Sequence, residues 1–302
     1  MSPFAALADP ILPIFAILAF GFGLGRARLM SRDDARVINR FAMTVLVPIA
    51  VFGLLANAPV DSFAALPILL YSLTQAVIFG GGYLLARRLF AASPAEAVIL
   101  AYAGIFANTL FYTLPISTLL FGADDILPVT MVVVLDSVVS FGGVMIILQI
   151  ISDGRASPLS VVRIFARTPA LLAIAAGTFA ALLHLSLPDA VQTFVTFNGV
   201  AAAPVALFAL GVILSGTRFR ADGAVAVFSA IKLVALPVAV FAAMIAAGIA
   251  QDTARLFTFT AAGPAGAMAL SLALLHGVPT DRVAQVLVWT CGLSLITMAV
   301  LA

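Results

Sequence analysis

Charge is scarce in this chain: Asp, Glu, Lys and Arg together supply only 9% of 302 residues, while 64% are hydrophobic. A soluble domain of this length has no core large enough to hide so much apolar surface, so the solvent for most of the chain is lipid. Cysteine is almost absent, and a single thiol, Cys291, cannot form an intramolecular disulfide. Its expected role is core filler. The two histidines, His184 and His276, stand at the ends of apolar runs without further ligand-type residues beside them, so no metal site is expected. A phosphate-cradling loop is missing, and so is any loop grouping a nucleophile, a base and an orienting acid; catalysis and ATP-driven pumping lack support, and no cofactor is expected. The formal net charge of +2 does not signal nucleic acid, because the arginines lie in short loops and form no continuous basic face.

What the chain does contain is apolar runs. A transmembrane helix needs about 20 apolar residues, and ten such runs follow one another at 8–25, 38–57, 63–86, 95–121, 126–151, 169–186, 191–214, 223–249, 253–276 and 283–302. The predicted fold is an all-α membrane protein of ten transmembrane helices. Asp9 and the lack of basic residues before the first run argue against a cleaved signal peptide.

The basic residues mark the connections. Arg26, Arg28, Arg32, Arg36 and Arg40 follow the first run, Arg87 and Arg88 the third, Arg155, Arg163 and Arg167 the fifth, Arg218 and Arg220 the seventh, and Arg282 the ninth. Even-numbered connections carry Arg255 alone. By the positive-inside rule the odd connections are cytoplasmic, which places both termini outside a cell membrane, the inner membrane in a bacterium.

Sliding the chain on itself by 156 residues aligns Pro13 with Pro169, Gly21 with Gly177, Asp33 with Asp189, Phe41 with Phe197, and Pro48, Ala50 and Phe52 with Pro204, Ala206 and Phe208. The register predicts two five-helix units, 1–154 and 155–302. Five is odd, so the second copy starts on the opposite side of the membrane. The result is an inverted repeat, an arrangement of many secondary transporters with the site at the repeat interface.

Two runs are interrupted at matching places. The fourth opens on Ser93-Pro94-Ala95-Glu96, a capping-box pattern, and its middle reads Ala107-Asn108-Thr109-Leu110-Phe111-Tyr112-Thr113-Leu114-Pro115. Pro115 removes a backbone donor and disfavours helix before it, which predicts a stop and a restart there. Asn108 aligns with Pro264, inside Ala262-Gly263-Pro264-Ala265-Gly266 of the ninth run. Half-helices restarting near Pro115 and Ala265 would aim free N–H groups and the positive dipole end at one spot, a setting for an anion. Asn108, Thr109, Tyr112 and Thr113 add hydrogen-bonding side chains, which in lipid must face a cavity or other helices. The alternative is a pair of proline kinks with hydroxyls bonding their own backbone.

Asp136 and Lys232 fall well inside apolar runs, where charge is expensive. Lys232 is the only lysine beside fourteen arginines, and an ammonium can lose its proton whereas a guanidinium practically cannot. A charge switch linked to a proton or substrate is one reading; a static pair, or two groups neutral beside Ser137 and Ser140, is the other. Gly21, Gly23 and Gly25, and likewise Gly80, Gly81 and Gly82, read as small residues for helix packing rather than as a nucleotide fingerprint. Gln75, Tyr102 and Asn198 are polar groups within runs, able to line a cavity or to bond a neighbouring helix.

Ile11-Leu12-Pro13, the loop Leu29-Met30-Ser31 leading to Asn39-Arg40-Phe41 and Pro48, the Asn108-to-Pro115 break, Lys232 with Pro237, and Gly263-Pro264-Ala265 together resemble the auxin efflux carrier family in its bacterial form. The resemblance covers nearly the whole chain. It implies ten helices with both termini outside, an inverted five-plus-five repeat, and a crossover of helices four and nine similar to that of bile-acid symporters and sodium/proton antiporters. The substrates it implies are small organic anions, auxin in plants and dicarboxylates such as malonate for some bacterial members. Asn108 and Pro115 match the family's fourth-span motif and Pro264 its ninth-span proline, while Leu110 and Thr113 stand where the family often has glycine. The long central loop of plant members is replaced by a short connection, 152–168.

The expected function is therefore secondary transport of a small organic anion. Asn108, Thr109, Tyr112, Thr113, Pro115, Pro264 and Ala265 would form the substrate site, with Asp136 or Lys232 as coupling groups. Spans three to five and eight to ten would move against a scaffold of spans one, two, six and seven. Partners on this reading are the organic anion, protons or sodium as coupling ion, the lipid bilayer and a homodimer mate, with no nucleic acid. A cation/proton antiporter using Asp136, and a receptor that binds without transport, are the competing functions.

Overall fold

The computed structural model describes residues 3–58, 64–122, 127–153, 162, 166–216 and 222–301. The expected boundary between the two halves, at 154/155, and Arg155, Arg163, Arg218 and Arg220 lie outside the described residues. Among those described the chain is all-helical, with no named strand. Its helices are α1 (Pro3–Arg26), α2 (Arg32–Ala56), α3 (Ala65–Leu89), α4 (Pro94–Ile105), α5 (Leu114–Phe121), α6 (Leu127–Ser152), α7 (Pro169–Leu182), α8 (Asp189–Ser215), α9 (Gly223–Ala246), α10 (Gln251–Ala261), α11 (Met268–Leu275) and α12 (Asp281–Leu301). Six of them, α2, α3, α6, α8, α9 and α12, are each long and apolar enough to cross a membrane.

The chain gathers into two compact units, Ala8–Phe63 with Ser157–Gly216, and Ala64–Ala156 with Thr217–Ala302. The first holds most of α1 with α2, α7 and α8; the second holds α3 to α6 and α9 to α12. Each unit draws helices from both halves of the chain.

In the first unit helices meet on small residues. A Cβ added to Gly21 would lie 2.2 Å from the carbonyl oxygen of Phe208, and one added to Gly177 would lie 2.9 Å from that of Phe52. The 156-residue shift carries one contact onto the other, since both Gly21 with Gly177 and Phe52 with Phe208 are 156 residues apart. Only a residue without a side chain lets backbones approach so closely. Gly25 packs likewise against Ser215, whereas Gly23, Gly80 and Gly81 meet open space.

Proline leaves a regular mark on the helices. Turns of π-helix occupy Ala42–Leu46, Thr109–Thr113 and Ile231–Ala235, each ending two residues before a proline: Pro48, Pro115 and Pro237. The proline ring clashes with the carbonyl four residues back and offers no N–H. The residue before each proline instead bonds five residues back, Val47 to Ala42, Leu114 to Thr109 and Leu236 to Ile231. A fourth π-turn, Asp136–Phe141, precedes Gly142-Gly143. Such turns occur frequently at functional sites; here they hold Lys232, Asp136 and the polar run Thr109–Thr113.

Three helix starts of the second unit converge on Arg282. Its guanidinium donates to Glu96 Oε1 at 3.0 Å and to Asp222 Oδ2 at 2.9 Å. Ser93 caps α4 through the Glu96 N–H, as the capping pattern predicts. Glu96, however, turns to Arg282 rather than back to Ser93, because an ion pair to a cation outweighs a bond to one N–H. A complete capping box forms instead at Ser31 and Asp34, at the start of α2.

Candidate functional site at two interrupted helices

Both interruptions lie within the second unit. Helix α4 ends at Ile105 and α10 at Ala261, a separation of 156 residues, and the chain beyond each runs extended for a few residues. The extended segments pair antiparallel: Ala107 bridges Ala265, the Asn108 N–H donates to the Pro264 carbonyl at 2.8 Å, and the Gly266 N–H donates to the Phe106 carbonyl at 2.9 Å. Backbone that cannot bond water in a membrane interior is thereby satisfied by the opposite break.

The restart differs from the sequence expectation. Helix resumes as a π-turn at Thr109, so Pro115 is not the stop but is accommodated inside the resumed helix by the π-turn before it. On the other side α11 begins at Met268, after Ala265 and its neighbours have been spent in the paired segment. The break falls where the two chains cross-bond, not where proline would place it.

Asn108, Thr109, Tyr112, Thr113 and Ala265 are all buried, as is Pro264. The Tyr112 hydroxyl lies 3.0 Å from Ser294 Oγ, and Ser294 donates to the Cys291 carbonyl, so the tyrosine is the donor. Thr113 is wedged against the second break: a Cβ on Gly263 would come 2.3 Å from Thr113 Oγ1. The hydroxyls of Thr109, Thr113 and Ser117 are buried without a hydrogen-bond partner. Such orphan groups are costly and call for a ligand or water.

Helix α12 supports both breaks with residues that the sequence reading missed. Thr290 Oγ1 accepts the Ala265 N–H at 3.1 Å, Ser294 receives Tyr112, and Thr297 donates to the Ala262 carbonyl at 3.4 Å. Their spacing, i, i+4 and i+7 within an apolar span, puts three hydroxyls on one helix face, a signal available in the sequence.

Asp136 and Lys232 stand in the same unit and both are buried. Asp136 Oδ1 accepts Gln75 Nε2 at 2.7 Å and Ser140 Oγ at 3.1 Å, and Ser140 also reaches Gln75 Oε1 at 3.0 Å. The other carboxylate oxygen, Oδ2, has no side-chain partner, and the backbone N–H of Ala107, in the first break, acts on the carboxyl. The Lys232 ammonium donates to the Ala261 carbonyl, the last of α10. The two charges act on each other electrostatically, yet no direct ion pair joins them among the described residues. Gln75 is thus a ligand of Asp136 rather than a cavity wall, and no group of metal-type ligands occurs among the described residues.

The whole length supports a single relationship. Residues 6–302 match the family described as "Membrane transport protein". The chain is 25% identical over 306 residues to a protein of Rhizobium meliloti (strain 1021) named "Putative malonate transporter", covering 97% of this chain and 94% of the relative. It is also 25% identical over 264 residues to "Uncharacterized transporter YfdV" of Escherichia coli (strain K12), covering 84% and 83%. An apolar helical chain with this relationship is an integral membrane protein, and it belongs to the auxin efflux carrier family of membrane transport proteins.

Proposed function

We propose that the chain is a secondary carrier that moves small organic anions, of the dicarboxylate size of malonate, across the inner membrane. The observation that carries this reading is the pairing of two interrupted helices, with unpartnered hydroxyls of Thr109, Thr113 and Ser117 beside the break. Helix restarts there present the positive end of a dipole, which favours a carboxylate. A relative named for malonate gives the size of acid to try first.

In this reading ten spans form two inverted five-helix repeats, 1–154 and 155–302, with both termini outside and helices four and nine crossing at the site. The repeated contact of Gly21 with Phe208 and Gly177 with Phe52, and the meeting of Asn108 with Pro264, favour the repeat. Asn108, Thr109 and Tyr112 contact the substrate as the unit that holds both breaks moves against its scaffold. Asp136 is the coupling group, since it is a buried carboxyl held by Gln75 and Ser140 and in touch with the backbone of the first break.

The test is uptake of radiolabelled malonate, and of a panel of mono- and dicarboxylic acids, into proteoliposomes with and without an imposed pH gradient. The expected result is saturable uptake of at least one small carboxylate above that of protein-free liposomes, changed by the gradient. Uptake equal to that of protein-free liposomes for every acid refutes the proposal.

A further inference from the structure

The carbonyl ends of the two interrupted helices are both closed by a buried side chain from another helix. The last carbonyls of any helix lack intrahelical partners, and inside a membrane water does not supply them. Ile105, the last residue of α4, gives its carbonyl to Gln75 Nε2 at 3.4 Å. Ala261, the last residue of α10, gives its carbonyl to Lys232 Nζ. The two carbonyls are 156 residues apart, and the two donors occupy corresponding helices, α3 and α9.

The donors themselves are 157 apart, one residue off register. Lys232 sits in the π-turn Ile231–Ala235, whose bonds loop in one residue more than an α-turn, and α3 runs α-helical throughout Ala65–Leu89. The π-turn absorbs the extra residue and returns the side chain to the equivalent place. We propose that Gln75 and Lys232 are a matched pair of positioning residues, each closing the carbonyl end of one interrupted helix, with Lys232 acting there as a fixed charge.

The pair is chemically unequal in a way the surroundings explain. A cation suits the negative end of a helix dipole, and Lys232 supplies it to α10. Gln75 is neutral, but its amide serves Asp136 Oδ1 together with the Ile105 carbonyl, so it fixes the carboxylate and the helix end with one group. Among the described residues, Asp136 is a charged group that acts on Lys232. With Lys232 held as a cap, Asp136 is left as the group that changes charge. This rests on the transport reading only for the pH behaviour; the capping geometry stands apart from it.

The experiment measures amide hydrogen exchange of the full chain in lipid nanodiscs, alongside malonate uptake against pH. Gln75→Leu should speed exchange about tenfold at residues 106–108 and spare 262–266, and Lys232→Met should do the reverse. The exchange of roles, Gln75→Lys with Lys232→Gln, preserves net charge and should bring both segments back to within about threefold of wild type. Lys232→Arg, a cap that practically cannot lose its proton, should keep the exchange pattern and the wild-type pH profile of uptake. Fast exchange at both breaks in the double variant, or its failure to insert while Lys232→Arg inserts, overturns the matched pair. An altered pH profile in Lys232→Arg with exchange intact overturns the fixed charge. If wild type carries none of the mono- and dicarboxylic acids, the transport reading fails while hydrogen exchange still decides the caps.

Discussion

The backbone N–H of Asn108 donates to the carbonyl of Pro264 at 2.8 Å, and these are the two residues that a 156-residue shift of the chain places on one another. The bond joins the two interrupted helices at positions that the sequence register pairs. This bond and that from Gly266 to Phe106 flank the antiparallel bridge of Ala107 with Ala265, one on each side. Irregular backbone at this depth is stable only because each break supplies the partners the other lacks.

The tight contact beside this centre yields a stability prediction. Gly263→Ala brings a methyl 2.3 Å from Thr113 Oγ1, which should cost about 1–3 kcal/mol through overpacking. Removing the obstructing hydroxyl with Thr113→Ala should recover most of that loss. Thermal unfolding of the two single variants and the double variant in detergent checks it; additive losses would mean that the clash lies elsewhere.

A second prediction concerns the scaffold unit. Gly21→Ala and Gly177→Ala each push a methyl into a backbone carbonyl, of Phe208 and Phe52 respectively, and backbone cannot swing aside as a side chain can. Each should destabilise by about 1–3 kcal/mol, with Gly23→Ala, which meets open space, as the neutral control. Unfolding midpoints measure this, and a loss confined to one of the pair would break the equivalence of the two contacts.

Much of this was legible in the sequence, because its largest signals are physical necessities of lipid. The apolar runs located the helices, paired prolines and glycines located both interruptions, and the isolated charges Asp136 and Lys232 marked buried polar sites. Where the break falls was not legible. Pro115 is the visible helix breaker, but α4 ends at Ile105 because its next residues bond Pro264 and Gly266, a partnership between distant segments. Likewise Gln75 reaches Asp136 across sixty-one positions, and Lys232 bonds a main-chain carbonyl, which has no sequence signature. Thr290, Ser294 and Thr297 could have been found from their helical spacing, had hydroxyls in an apolar span been read as a face.

A third prediction follows from the Arg282 cluster. Burial pushes the Asp222 carboxyl up, but the Val225 N–H and the Arg282 guanidinium outweigh it and hold the group below the ordinary aspartate value. A group lowered in the folded state contributes stability that is present above its unfolded pKa, about 3.9, and is lost as pH falls through the folded value. Arg282→Met should therefore lower the unfolding midpoint at pH 7, and the gap to wild type should narrow as pH falls below about 4. Asp222 is partly exposed, so the effect is modest and should shrink in high salt. Unfolding scans from pH 7 to pH 3 test it; a gap that grows in acid contradicts the assignment.

The central claim is that a small carboxylate is carried at the paired breaks. The most direct measurement is the kcat/KM of malonate uptake by Asn108→Ala proteoliposomes relative to wild type, at matched reconstitution. The account predicts a fall of about tenfold or more, as expected for losing a polar contact to a charged group. Wild-type kcat/KM in Asn108→Ala, with malonate transported by the unaltered protein, would contradict it.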